Sequence, residues 1–462
     1  MIKHFIYIIS IIISIVFLFS SCKIGQKYIE PRLSNMPQNF ESIDLKSGNI
    51  SDIGWSTLYT DTILQEYIKK ALEYNKDLLI AVTRIKEMEA NKRISFANLF
   101  PAIGYGAEAE REHENYGGDA KIYKPEINAN VNVSWELDIW GNLRWQNDAG
   151  IAAYMQTVEA KRWLQLTIIA QVAQAYFELK SLDKELKIVK QTQKAREEGV
   201  RFAKLRYEGG LTSEIPYRQS LVELARTETL IPNLEHNIKL KENDLLMLIG
   251  EYPIGRAKRN SHSEMEHLLH NLPIDLPSTL LKRRPDMLQA EQNLIEANAK
   301  VGMAFTDMFP KIKISGRIGA ENDEFAHFLS SPSWLVNGLI TGPIFNMGKN
   351  KAKHRAAQAA YERSVLEYEK KVLDVFKEVN NSIVTFHKVK EIRESTEELY
   401  ESANTNHELS KIQYVNGSIR YIDLLDAQRQ SFDAQIALNR AHLNELLSVV
   451  NLYKALGGGV ME

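Results

Sequence analysis

Two sets of residues in this 462-residue chain have the type and spacing to do chemistry: a lone thiol near the start and a pair of carboxylates near the end. Cys22 follows Ser20 and Ser21, which close an apolar run from Phe5 to Phe19 behind the basic Lys3 and His4. A short basic region, an apolar core and small residues before the cleavage point make an export signal. Small residues leading straight into cysteine are the lipobox arrangement. There the thiol takes diacylglycerol, the chain is cut before it, and the new amino group is acylated. The reading is a signal peptide over 1–21 and lipidation at Cys22. Residue 23 is lysine, so the aspartate that retains enteric lipoproteins at the inner membrane is absent. Asp423 and Asp426 lie three apart on one face of an expected helix, where their charge also suits the helix N-terminus.

The composition excludes most other chemistry. The 11 histidines include no HxxxH or HExxH pair, and there is no glycine-rich phosphate loop or nucleophile elbow. No enzyme active site, metal site or cofactor is therefore expected. One cysteine makes neither an intrachain disulfide nor a cysteine-cluster metal site. With 57 basic against 59 acidic residues and no polybasic block, nothing points to a nucleic-acid partner.

The elements that must carry these residues follow from pattern. Past residue 22 no stretch reaches the roughly 20 apolar residues of a spanning helix. A membrane crossing would then be a closed β-barrel, the alternative that satisfies every backbone group in lipid. Residues 126–139 alternate strictly: Ile127, Ala129, Val131, Val133, Trp135, Leu137 and Ile139 against Glu126, Asn128, Asn130, Asn132, Ser134, Glu136 and Asp138. A period of two with one apolar and one polar face describes a barrel strand between lipid and a wet lumen. Strands are expected at about 102–112, 125–139, 311–321 and 334–345, the last only partly alternating. Four strands close no barrel, and an open sheet in lipid leaves its edges unsatisfied. Several copies must build one barrel, and strand counting leaves two, three or four of them open.

The chain also repeats itself. Trp140-Gly141, Tyr207 to Gly210 and Ile249-Gly250 are answered 207 residues later by Met347-Gly348, Tyr414 to Gly417 and Leu456-Gly457, and Phe100-Pro101 returns as Phe309-Pro310. Each half reads as a helix, two strands, a very long helix, a turn and a shorter helix. The long helices, 141–208 and 347–415, contain no proline, and at ~1.5 Å per residue each runs about 100 Å. Val372, Phe376, Val379, Ile383 and Phe386 follow the spacing of a coiled-coil seam. The shorter helices cover 211–249 and 418–456. Helices near 62–98 and 286–308 would stack end to end on them. Pro232 is expected to kink the first short helix. The organisation is a lipid-anchored extended segment over 22–60, a first repeat over 61–251, a linker over 252–284, a second repeat over 285–457 and a tail over 458–462.

Three segments carry a family likeness: Arg283-Arg284-Pro285-Asp286 followed by Ala290-Glu291, Gly342-Pro343-Ile344-Phe345 with Gly348, and Tyr414 to Ser418 with Tyr421, Asp423 and Asp426. Together with the signal, the duplicated strand pairs and the giant hairpins, they make residues 50–457 resemble the outer-membrane efflux proteins of the TolC type. The likeness is to the lipoprotein branch that serves resistance-nodulation-division (RND) pumps. It implies a mainly α fold with a membrane β-barrel: a homotrimer with a twelve-stranded barrel and a long periplasmic α-helical barrel. The protein would sit lipid-anchored in the outer membrane of a Gram-negative bacterium. It would be the exit duct of a tripartite efflux pump, partnered by a periplasmic adaptor and an inner-membrane RND transporter. Asp423 and Asp426 match the paired aspartates that ring the periplasmic aperture, and the basic residue expected just after the turn stands one place late, at Arg420. The turns, Tyr207, Gly210 and Thr212 in one half and Tyr414, Gly417 and Ser418 in the other, would dock the adaptor. Arg283 to Asp286 is read as structural, Pro285 setting the first helical turn and Asp286 offsetting the dipole. The alternative function, a non-conducting coiled-coil envelope spacer, has no need of alternating strands.

Overall fold

The computed structural model describes residues 23–31, 37, 53–114, 122–260, 277–322 and 324–459. Cys22 lies outside them. The chain forms two compact units, one of Met1–Ser34, Thr83–Val158 and Gln289–Lys370, the other of Asn35–Val82, Glu159–Leu288 and Lys371–Glu462.

In the first unit, β1 (Ala102–Glu114), β2 (Ile122–Leu137), β3 (Lys311–Asn322) and β4 (Pro332–Thr341) form one antiparallel sheet in chain order. The register aligns like with like. Tyr105, Val131, Ile318 and Trp334 make one cross-strand row, and all four side chains are exposed. Rows of opposite facing hold Glu108, Asn128 and Glu321, or Gly104, Asn132, Arg317 and Leu335. An exposed apolar face opposed to a polar one suits lipid outside and water within. On the polar side Lys311 reaches Glu136 at 3.5 Å and Ser315 bonds Asn337 at 2.7 Å. The outer edges of β1 and β4 have no strand partner among the described residues.

Two strand ends differ from the alternation. β2 stops at Leu137 because Asp138 turns to accept hydrogen bonds from the Leu143 and Arg144 N–H groups, at 2.8 and 3.0 Å, at the start of the next helix. β4 stops at Thr341 rather than 345: Pro343 has no N–H for the ladder, and Ile344 and Phe345 lie exposed beyond the sheet. Leu335 and Leu339 stand on its otherwise polar face, as the imperfect alternation suggested.

The remaining elements are helical: α1 (Trp55–Leu58), α2 (Thr62–Tyr74), α3 (Lys76–Ala97), α4 (Asn142–Glu208), α5 (Glu214–Leu248), α6 (Pro277–Arg283), α7 (Pro285–Thr306), α8 (Lys349–Val415) and α9 (Tyr421–Ala455). Helices α4 and α8 have 67 residues each, α5 and α9 have 35 each, and α5 continues unbroken through Pro232. In the second unit Val372, Val379, Ile383 and Phe386 of α8 are buried, as are Val172, Tyr176, Leu179 and Val189 of α4. The first set belongs to the stripe whose spacing marked a coiled-coil seam, and the second repeats that spacing in the other long helix.

The helix expected over 62–98 is broken at Asn75, for a reason that lies elsewhere in the chain. Its side-chain oxygen accepts from the Asp77 and Leu78 N–H groups at 3.0 and 3.2 Å, capping α3. Its amide nitrogen donates to the Leu248 carbonyl at 2.8 Å, at the end of α5. Arg284 holds the matching place in the second half. It donates to the Ala455 carbonyl at the end of α9, at 2.6 Å, while Pro285 opens α7. Both helix-end stacks thus use a side chain to satisfy a C-terminal carbonyl that the helix itself leaves without a partner. Arg284 is fully buried, bonded twice to Asp286 at 2.9 Å and once to Glu378 at 2.6 Å, with Trp163 stacked 4.9 Å away. Burial would raise the Asp286 pKa, but hydrogen bonds and charge from Arg284 and Lys371 hold it below the usual carboxylate range.

Candidate functional site at the hairpin turns

The reversals joining α4 to α5 and α8 to α9 are built alike. Gly210 N–H bonds the Tyr207 carbonyl at 3.0 Å and Leu211 N–H the Arg206 carbonyl at 2.8 Å. Gly417 and Ser418 bond Tyr414 and Gln413 in the same way, at 3.0 and 2.9 Å. Each closes on a glycine in the left-handed region, φ 68° at Gly210 and 73° at Gly417, which costs glycine no steric penalty. The repeated Tyr-x-x-Gly segments are therefore two copies of one helix stop.

The turn residues do not all present themselves. Tyr207, Gly210, Gly417 and Ser418 are exposed, together with the apolar Leu211 and Val415. Thr212 is half-buried, and its hydroxyl has no hydrogen-bond partner among the described residues. Tyr414 is only 7% exposed. Its ring lies 5.4 Å from the Arg206 guanidinium of the first hairpin and 5.5 Å from the Tyr421 ring. It therefore joins the two hairpins, with its side chain buried between them.

Asp423 and Asp426 both lie exposed at the start of α9, but their surroundings differ. Asp423 accepts from the Arg420 backbone N–H at 3.1 Å and from its guanidinium at 3.2 and 3.3 Å. The side-chain hydrogen bond from Arg420 lowers the Asp423 pKa. Asp426 accepts from the neutral Gln430 amide at 2.8 Å.

Behind the turns lies a cluster that sequence reasoning missed. Glu223 of α5 is buried among three arginines: Arg196 of α4 at 3.4 Å, Arg226 of its own helix at 3.3 Å and Arg429 of α9 at 2.6 Å. Burial would raise its pKa, but the Arg429 hydrogen bond and the charges of Arg196, Arg429 and Arg226 hold it below the ordinary value. Arg429 thereby ties the second hairpin to the first. Nearby, burial pushes the Tyr421 hydroxyl up to about 12.

In the strand unit, the residues after Cys22 have a seat of their own. Lys23 lies over the Trp145 ring at 3.4 Å and pairs with Asp148. Trp145 donates to the Ile24 carbonyl at 2.8 Å, and Ile24 N–H bonds the Trp140 carbonyl at 3.2 Å. Gly302 leaves room for the indole, since a Cβ there would meet the Trp145 ring at 2.4 Å. The seat lies where β2 passes into α4.

A sheet with an exposed apolar face and edges unpaired among the described residues, in a chain that also carries two copies of a long helical hairpin, defines the protomer of an outer-membrane channel. The chain belongs to the outer membrane efflux protein family, whose model matches residues 67–251 and 276–458. It is 27% identical over 461 residues to SilC, a probable outer membrane lipoprotein of Salmonella typhimurium, with 97% of this chain and 98% of that one covered. It is 28% identical over 459 residues to TtgC, a toluene efflux pump outer membrane protein of Pseudomonas putida, with 96% and 94% covered. The open-state crystal structure of the Neisseria gonorrhoeae MtrE outer membrane channel matches with a TM-score of 0.86 at 26% identity, covering 95% of this chain and 98% of that one. The protein is an efflux channel of the Gram-negative outer membrane, a transporter and not an enzyme.

Proposed function

We propose that three copies of this chain close a twelve-stranded barrel and a helical duct, forming the exit of a tripartite efflux pump. The observation that carries this is the four-stranded sheet, with its apolar face exposed and its two edges unpaired among the described residues. Two copies would give eight strands, about the number whose interior side chains fill, while twelve leave a lumen. The edge of β4 on one copy would pair with the edge of β1 on the next, removing edges that lipid does not tolerate.

In this reading the hairpin turns dock a periplasmic adaptor, which links the duct to an inner-membrane RND transporter. The exposed Tyr207, Gly210, Leu211, Gly417 and Ser418 would be the contact points. Tyr414 and Thr212 would support them from within. Cys22 carries the lipid, and the seat of Lys23 holds the neighbouring residue at the β2–α4 junction. Asp423 and Asp426 form the aperture, where three-fold repetition gathers acidic side chains that favour cations. Replacing both by alanine should reduce the cation selectivity of the purified protein in a planar bilayer and abolish block by multivalent cations. Wild-type selectivity and block in that variant would remove the aspartates from the gate.

A further inference from the structure

We infer that Arg420 tunes the charge of the aperture: it neutralises Asp423 within the same chain and leaves Asp426 as the acting carboxylate. The inference rests on the reading of Asp423 and Asp426 as the gate. Both oxygens of Asp423 are engaged by Arg420, Oδ1 by one guanidinium nitrogen at 3.2 Å and Oδ2 by another at 3.3 Å and by the backbone N–H at 3.1 Å. The carboxylate is thus turned back toward the turn, and its partner is covalently three residues away, so it accompanies Asp423 in any movement of α9. Among the described residues Asp426 accepts its hydrogen bond from the neutral Gln430 amide at 2.8 Å, and the nearest cation acting on it is Arg429, without an ion-pair contact. Arg429 makes its direct ion pair with the buried Glu223 at 2.6 Å and reaches Asp426 only through charge at longer range.

The pair is solvent-exposed, with 81% of the Arg420 and 42% of the Asp423 side chain accessible. Such pairs add little to stability, but a solute passing within a few ångströms meets both charges together. Each chain then brings to the aperture one carboxylate with no ion-pair partner among the described residues, where the sequence alone counts two. A trimer carries half the negative charge that the aspartate pair suggests. In the first half Pro216 and Gln219 stand at the corresponding places, and the carboxylate at that helix start, Glu214, is paired with Arg218 at 2.7 Å.

The test is the reversal potential of the purified full-length protein in planar bilayers under a salt gradient, with block by a trivalent cation as a second readout. Arg420→Gln should raise cation selectivity above wild type and strengthen block several-fold. Arg420→Lys, which keeps the charge without the guanidinium fork, should stay near wild type. Asp426→Asn should lower selectivity more than Asp423→Asn. Equal losses for the two aspartates with no change in Arg420→Gln would overturn the role of Arg420 and leave the gate standing. No change with either aspartate would overturn the gate reading and this inference with it.

Discussion

Arg284→Met is the substitution whose outcome the structure defines most sharply. The side chain is fully buried and joins four groups: Asp286, Glu378, the Ala455 carbonyl and the face of Trp163. Its loss leaves the buried Asp286 with Lys371 alone, at 2.7 Å, and leaves the Ala455 carbonyl at the end of α9 without its donor. Breaking one side of a buried ion pair costs about 3–5 kcal/mol, and an unsatisfied buried carbonyl adds roughly 1–3 kcal/mol. The second-half stack should therefore open well before the rest of the protein. Thermal unfolding in detergent, followed by tryptophan fluorescence and by limited proteolysis between α9 and α7, reads this out. The double variant Arg284→Met with Asp286→Leu should recover much of the loss, because an apolar pair replaces a buried charge without its partner. Asp286 has a depressed folded pKa. Its stabilisation is thus present above the unfolded carboxylate pKa of about 3.9 and is lost as pH falls through the lower folded value. Arg284→Met should flatten that acid dependence. A loss below about 1 kcal/mol, or a double variant as impaired as the sum of its singles, would refute the reasoning.

Other substitutions probe the remaining parts. At Gly319 a Cβ would lie 2.1 Å from the Ala129 carbonyl oxygen, so Gly319→Val should prevent β2–β3 pairing and abolish chemical crosslinking of the purified protein into trimers. Arg429→Ala should release the second hairpin from the first while Arg196 and Arg226 still compensate Glu223, raising the resting conductance in a bilayer without a large fall in melting temperature. Glu223→Ala, which leaves three arginines together, should lower the melting temperature more. Mass spectrometry of the mature N-terminus should find acylated Cys22, and an unmodified residue there would exclude the lipid anchor.

The architecture was legible because backbone demands leave marks in sequence. Gly210 and Gly417 stand at identical left-handed turns, and the alternation of 126–139 lines up across the sheet as the Tyr105–Val131–Ile318–Trp334 row. The pattern failed where a residue's role depends on a partner far along the chain. Asn75 is tolerable inside a helix until the Leu248 carbonyl beside it is known. No pattern in the sequence singles out Glu223 and Arg429, and Tyr414 stands among the docking-turn residues with nothing to show that its ring packs on Arg206 of the opposing hairpin. The aspartate pair was visible as two carboxylates on one face. The engagement of Asp423 by Arg420 was not, because capping geometry rather than residue type decides which way a carboxylate turns.

The central claim, that copies of this chain enclose a conducting lumen, is tested most directly by electrical recording. Purified, full-length protein added to a planar lipid bilayer should insert in discrete, uniform conductance steps with a preference for cations. Intact, membrane-inserted oligomers that never conduct, under either polarity and with the Arg429→Ala variant included, would contradict it.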